Sequence, residues 1–171
     1  MKKSVLFIIL LFAVSITASA QKFALIDMEY ILKNIPAYER ANEQLNQVSK
    51  QWQSEVEALA KGAQDAYKKY QATTASLSDA QKTKMEEDIV SKEKATAELK
   101  RKYFGQEGEL FKKRESLMKP IQDQIYSVVK EIAEQKGYAA IVDRASAASI
   151  IFASPNIDVS NEVLARLGYS N

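Results

Sequence analysis

The stretch from Tyr38 to Tyr70, YERANEQLNQVSKQWQSEVEALAKGAQDAYKKY, decides the fold. Tyr38, Ala41, Leu45, Val48, Trp52, Val56, Leu59, Ala63, Ala66 and Tyr70 recur at steps of three and four, which puts them on one helix face as a coiled-coil seam. From Val48 to Trp52 to Val56 two steps of four follow each other, a stutter that relaxes the left-handed supercoil locally. A seam needs a partner, so a second helix is predicted.

Across Thr73-Thr74-Ala75-Ser76-Leu77-Ser78 the pattern lapses, and Ser78 with Gln81 offers a capping box for a new helix. The chain is expected to turn back there. Met85, Ile89, Leu99, Tyr103, Leu110, Leu117, Ile121, Ile125, Val128 and Ile132 then fall near one face of a returning helix, closed by Gly137 as a left-handed cap. Pro120 removes one helical hydrogen bond, but Leu117, Ile121 and Ile125 keep phase across it, so a kink is predicted in place of a stop. Counted from Ala37, the first limb reaches about 57 Å at 1.5 Å per residue.

The flanks read differently. Lys22 to Met28 (KFALIDM), Tyr138 to Arg144 (YAAIVDR) and Ser149 to Ala153 (SIIFA) are short, partly β-branched runs that predict strands. Beyond Pro155, Asp158 to Leu167 predicts a short amphipathic helix closed by Gly168. The expected class is therefore mostly α with a small β body. Residues 37–136 form a long antiparallel helical hairpin inserted between strands, and residues 21–36 and 137–171 form the body.

Met1-Lys2-Lys3, an apolar run from Val5 to Ile16 and Ala18-Ser19-Ala20 make the three-part pattern of a secretory signal peptide cleaved after Ala20. The run is shorter than the roughly 20 residues that cross a bilayer. With no cysteine there is no disulfide framework and no residue to carry a lipoprotein anchor, and export without disulfides suits a bacterial periplasm. The whole chain has 24 Lys and Arg against 22 Asp and Glu; losing Lys2 and Lys3 leaves 22 against 22. Such balance gives no long-range attraction for polyanions, so no nucleic-acid partner is expected.

The absence of histidine and cysteine removes the Ser-His and Cys-His nucleophilic pairs and the usual zinc sites. There is no Gly-rich phosphate loop, and Glu86-Glu87-Asp88 point in different directions on a helix. No catalytic residues, cofactor or metal are expected. Glu57 with Lys61, Asp65 with Lys69, Asp88 with Lys92, Glu98 with Lys102 and Glu109 with Lys113 read as a solvated helix face.

Contact residues remain. Near the turn, Lys68, Lys69, Lys82 and Lys84 stand against Asp79 alone, a positive tip able to meet an anionic membrane surface or an acidic polypeptide, or simply to keep the tip soluble. Trp52, Tyr70 and Tyr103 fit the seam, whereas Tyr67, Phe104 and Phe111 fall beside it and are expected as exposed apolar contacts. Phe23, Leu25, Ile141, Ile150 and Ile151 are expected in an oligomer core. A body of about fifty residues is marginal alone, and open strand edges invite pairing.

The order of elements and four segments, FALIDMEYIL, SLSDAQ, KPIQDQIYSVVKEIAEQKGYAAIVD and NIDVSNEVLARL, resemble the Skp or OmpH-like family over nearly the whole mature chain. The resemblance implies a jellyfish-shaped homotrimer in which strands of three subunits close a β-barrel body and three hairpins surround a cavity. It implies an ATP-independent periplasmic holdase for unfolded outer-membrane β-barrel proteins, not an enzyme. Well-known members are markedly basic; this mature chain is not. An envelope structural adaptor that docks its coiled-coil hairpin on one specific partner is the second reading.

Overall fold

The computed structural model describes residues 22–147 and 149–169, so the expected signal peptide lies outside the described residues. The main elements run in the order β1 (Lys22–Ile26), α1 (Met28–Lys33), α2 (Pro36–Thr73), α3 (Asp79–Phe104), α4 (Glu109–Lys136), β2 (Tyr138–Asp143) and α5 (Ser160–Arg166). The described residues divide into two compact units, one within 22–32 and 125–169, the other Lys33–Gln124.

In the first unit β1 pairs in parallel with β2. Parallel strands cannot be joined by a tight hairpin. The register runs from Phe23 opposite Ala140 to Ile26 opposite Asp143, with an irregularity between Lys22 and Phe23. Ala24, Leu25 and Ile26 are buried in succession, as in a strand covered on both faces.

Sequence reading carries the first strand to Met28, but β1 stops at Ile26 because Asp27 starts a helix. Its Oδ1 accepts from the Tyr30 N–H at 2.8 Å and opens α1. The unit also holds the end of α4, from Ile125 onward, and α5. Ile31, Ile125, Ile132 and Val163 are its largest fully buried side chains. Gly137 at φ 67° and Gly168 at φ 82° supply the left-handed turns after α4 and α5, as expected.

The third strand expected over Ser149–Ala153 does not form among the described residues. Ile151 and Phe152 are 102% and 86% exposed. A strand exists only where another backbone pairs with it. Here Leu25 is met by a later segment: the Val159 N–H donates to the Leu25 carbonyl at 2.9 Å, and Asp158 forms an isolated parallel bridge with Leu25. The described part of the chain therefore carries a two-stranded sheet.

The second unit is built on α2, a helix of 38 residues. Pro36 occupies its first turn, where a missing N–H costs nothing. The chain reverses through a single 3₁₀ turn, Thr74–Ser76, and α3 returns. The predicted capping box is present: Ser78 Oγ accepts from the Gln81 N–H, and the Ser78 N–H donates to Gln81 Oε1 at 2.9 Å. Trp52 stacks on Tyr103 and the Tyr70 hydroxyl bonds to Glu86, so equivalent points on the two limbs face each other. Ala41, Leu45, Ala63 and Ile89 are buried, and Val48, Trp52, Val56, Ala66 and Tyr70 are half-buried, but Leu59, expected in the seam, is 40% exposed because the opposite limb does not cover it.

Sequence reading makes the returning limb one helix kinked at Pro120. Instead it breaks after Phe104 and resumes as α4, which runs through Pro120. The break belongs to two glycines. A Cβ on Gly105 would collide with the Arg101 carbonyl oxygen, and one on Gly108 would sit 2.8 Å from those of Lys102 and Tyr103. Glycine also costs a helix interior about 1 kcal/mol against alanine, whereas the buried Ile121 and Ile125 support the helix past Pro120.

Candidate binding surfaces

The structure spreads the sequence-predicted contact residues over several places. Tyr67 and Phe111 stand 50% and 45% exposed on α2 and α4. Phe104 is half-buried, its ring edge-on to Tyr103 with centroids 6.3 Å apart. Lys68, Lys69 and Lys84 are exposed near the reversal, while Lys82 approaches Asp79 at 3.8 Å. Asp88 pairs with Lys92 as expected, but Glu109 takes Lys112, three residues on at 3.3 Å, in place of Lys113.

On the strand unit, Leu25 is buried and Ile141 half-buried, but Phe23 is 52% exposed. Phe23 and Leu25 share a face by the two-residue period, so the cover over that face ends between them. Ile150 and Ile151 are exposed, and so are Val142 and Phe152, which sequence reasoning did not single out. Phe152 belongs to the SIIFA run, and its exposure follows from that run's failure to pair.

The ionic groups here hold elements together. Arg144 reaches Asp27 at 3.1 Å and Asp158 at 3.3 Å, beside a cavity of about 330 Å³ that Tyr30 and Asn161 also line. The Tyr30 hydroxyl donates to Asn161 Oδ1 at 3.0 Å. The Lys136 ammonium, with Arg166, holds the Glu162 carboxyl below its ordinary value. Ser160 is buried, and its Oγ accepts the Asp27 N–H at 2.8 Å.

The hairpin unit has two grooves that no sequence motif announced. One, of about 490 Å³, is lined by Ala60, Ala63, Tyr67, Thr96 and Ala97 together with Gln64, Glu93 and Lys100. The other, of about 450 Å³, lies between Val48, Gln51 and Trp52 on α2 and Glu109, Lys112, Lys113 and Ser116 on α4. In the limb beside it, Glu55 accepts the Tyr103 hydroxyl at 2.5 Å and pushes that phenol's pKa up. Among the described residues no cluster of acidic side chains could hold a metal ion, and no helix is long and apolar enough to cross a membrane.

A long helical hairpin with two grooves and scattered exposed aromatics is joined in sequence to a small strand unit, and this is the architecture of a helical-hairpin protein. Residues 22–167 match the outer membrane protein (OmpH-like) family, and the chain belongs to that family. It is 26% identical over 154 residues to chaperone protein Skp of Yersinia enterocolitica, covering 89% of each chain. It shares the fold of a candidate outer membrane chaperone (OmpH-like) from Caulobacter crescentus CB15 with a TM-score of 0.68. That match has 11% identity and covers 87% of this chain and 85% of the other.

Proposed function

We propose that the chain is an ATP-independent holdase chaperone of the bacterial periplasm, which shelters unfolded outer-membrane β-barrel proteins between the hairpins of a homotrimer. Membership of the OmpH-like family and similarity to a Skp chaperone support this reading. The observation that carries it is the hairpin surface: Leu59, Tyr67, Val90 and Phe111 are exposed, dispersed apolar side chains on a helix pair. Many weak apolar contacts let a disordered client keep chain entropy that one ordered interface would remove.

In this reading the leader is cleaved after Ala20, residues 37–136 hold the client, and residues 21–36 with 137–171 assemble the trimer. Phe23, Ile150, Ile151 and Phe152 supply apolar surface for assembly. The tip lysines Lys68, Lys69, Lys82 and Lys84 contribute only salt-sensitive steering.

The test is turbidity of a urea-unfolded outer-membrane β-barrel protein diluted into buffer without nucleotide. The native protein is expected to suppress aggregation. A variant joining Leu59 to Leu99 through a short turn is expected to stay assembled and fail to protect. Equal protection by both would instead leave the hairpin to a specific docking partner, as in an envelope adaptor.

A further inference from the structure

We infer that the groove between Trp52 and Lys113 recognises extended polypeptide segments in which an aromatic side chain stands beside a carboxylate. This deepens the holdase reading and rests on it for the class of ligand.

The apolar wall is fixed before any ligand arrives. Trp52 stacks on Tyr103 with ring centroids 4.7 Å apart and planes 5° from parallel. Tyr103 is itself held by its hydroxyl bond to Glu55 and by the edge of Phe104. The indole thus spends one face on the opposite limb, and its remaining surface lines the groove beside Val48. A preset aromatic wall loses little conformational freedom on binding.

The opposite wall carries Glu109 beside Lys112 and Lys113, a net positive charge of one. The glycine break restarts the helix at Glu109, so the first turns of α4 carry Lys112 and Lys113 along α2 at the level of Val48 and Trp52. Lys112 is engaged by Glu109 at 3.3 Å. Lys113 has no ion pair among the described residues. The Ser116 hydroxyl is already donated to the Lys113 carbonyl at 2.8 Å. What is left for a ligand is one flat apolar wall and one uncommitted ammonium.

A ligand matching both has a flat ring and an acceptor anion a few ångströms apart. Adjacent aromatic and acidic residues on an extended chain meet that requirement. An arginine that could stack on the indole is repelled by Lys113, whose charge is uncompensated while Glu109 is taken by Lys112. An anionic lipid headgroup satisfies Lys113 and leaves the indole without a flat partner.

Trp52 is the chain's single tryptophan, so its emission reports the groove directly. The purified protein is titrated with unstructured Gly/Ser-rich peptides carrying Phe-Glu, Phe-Lys or Ala-Glu, and with phosphatidylglycerol vesicles. Only the Phe-Glu peptide is expected to change the emission saturably. Lys113→Glu is expected to weaken it about fivefold. Lys94→Glu, an exposed charge reversal elsewhere on the hairpin, leaves affinity unchanged. An equal response to Phe-Lys, a response to vesicles alone, or full affinity in Lys113→Glu overturns the site. Protection against aggregation with no Trp52 response overturns this site and leaves the holdase reading standing. A saturable, Lys113-dependent response without protection does the reverse.

Discussion

Asp143, the last residue of β2, accepts the Met28 N–H at 3.0 Å, so the end of one strand caps the helix that follows the other. The same Oδ1 accepts from the Ala145 N–H at 3.0 Å. Burial alone raises the Asp143 pKa, but the Met28 N–H, Ser146 and the Ala145 N–H outweigh it, and the net shift is downward. A carboxyl lowered in the folded state contributes stability that is full above the ordinary aspartate range. That stability is lost as pH falls through the lowered value, below about pH 4. Asp143→Asn is therefore expected to flatten the acid limb of the stability curve, and Asp143→Ala to cost about 1 kcal/mol at neutral pH. Urea unfolding at pH 7 and pH 3 measures both, and an unchanged acid limb in Asp143→Asn would count against the cap.

Trp52 and Tyr103 tie the two limbs by a stack between half-buried rings. Trp52→Ala is expected to lose about 2 kcal/mol, less than a fully buried tryptophan because part of the ring already meets water. Hydrogen exchange should speed up first in the flanking turns of α2 and α3. Uniform loss of protection over the whole chain would mean the stack is not a local clasp.

The three hairpin glycines should separate cleanly. Gly62 lies inside α2 with open space where an alanine methyl would stand, so Gly62→Ala should stabilise by about 1 kcal/mol. Gly105→Ala and Gly108→Ala drive a Cβ into backbone carbonyls and should both destabilise. Thermal melts of the three variants decide this, and a stabilised Gly108→Ala would show that the break can close into continuous helix.

The exposed Ile151 gives the assembly prediction. If it is covered by neighbouring subunits, Ile151→Asp forfeits about 2 kcal/mol of burial per subunit and adds a desolvated charge. Light scattering is expected to give three chains for the native protein and a dissociated species for the variant. A folded native monomer would end the trimer reading.

Local patterns carried the parts of the fold that local energetics govern. The seam from Tyr38 to Tyr70 apart from the exposed Leu59, the Ser78–Gln81 capping box and the left-handed Gly137 each depend on residues within a turn or two of one another, and each stands where the sequence put it. The site was less legible. Tyr67 and Phe111 could be placed beside the seam, but the groove at Trp52 joins residues some sixty positions apart, and no spacing rule reaches that far.

What the sequence by itself determined is a pair of long antiparallel helices in a chain without histidine or cysteine, because periodicity, caps and composition act through near neighbours. Only the tertiary structure decided that the returning limb breaks at Gly105 and Gly108 and not at Pro120, since carbonyl oxygens of the preceding turn leave no room for a Cβ there. Only the tertiary structure, too, decided that Leu25 meets Val159 while Ser149–Ala153 forms no strand among the described residues. A strand's existence depends on a distant backbone offering hydrogen bonds, which the strand's own residues do not encode.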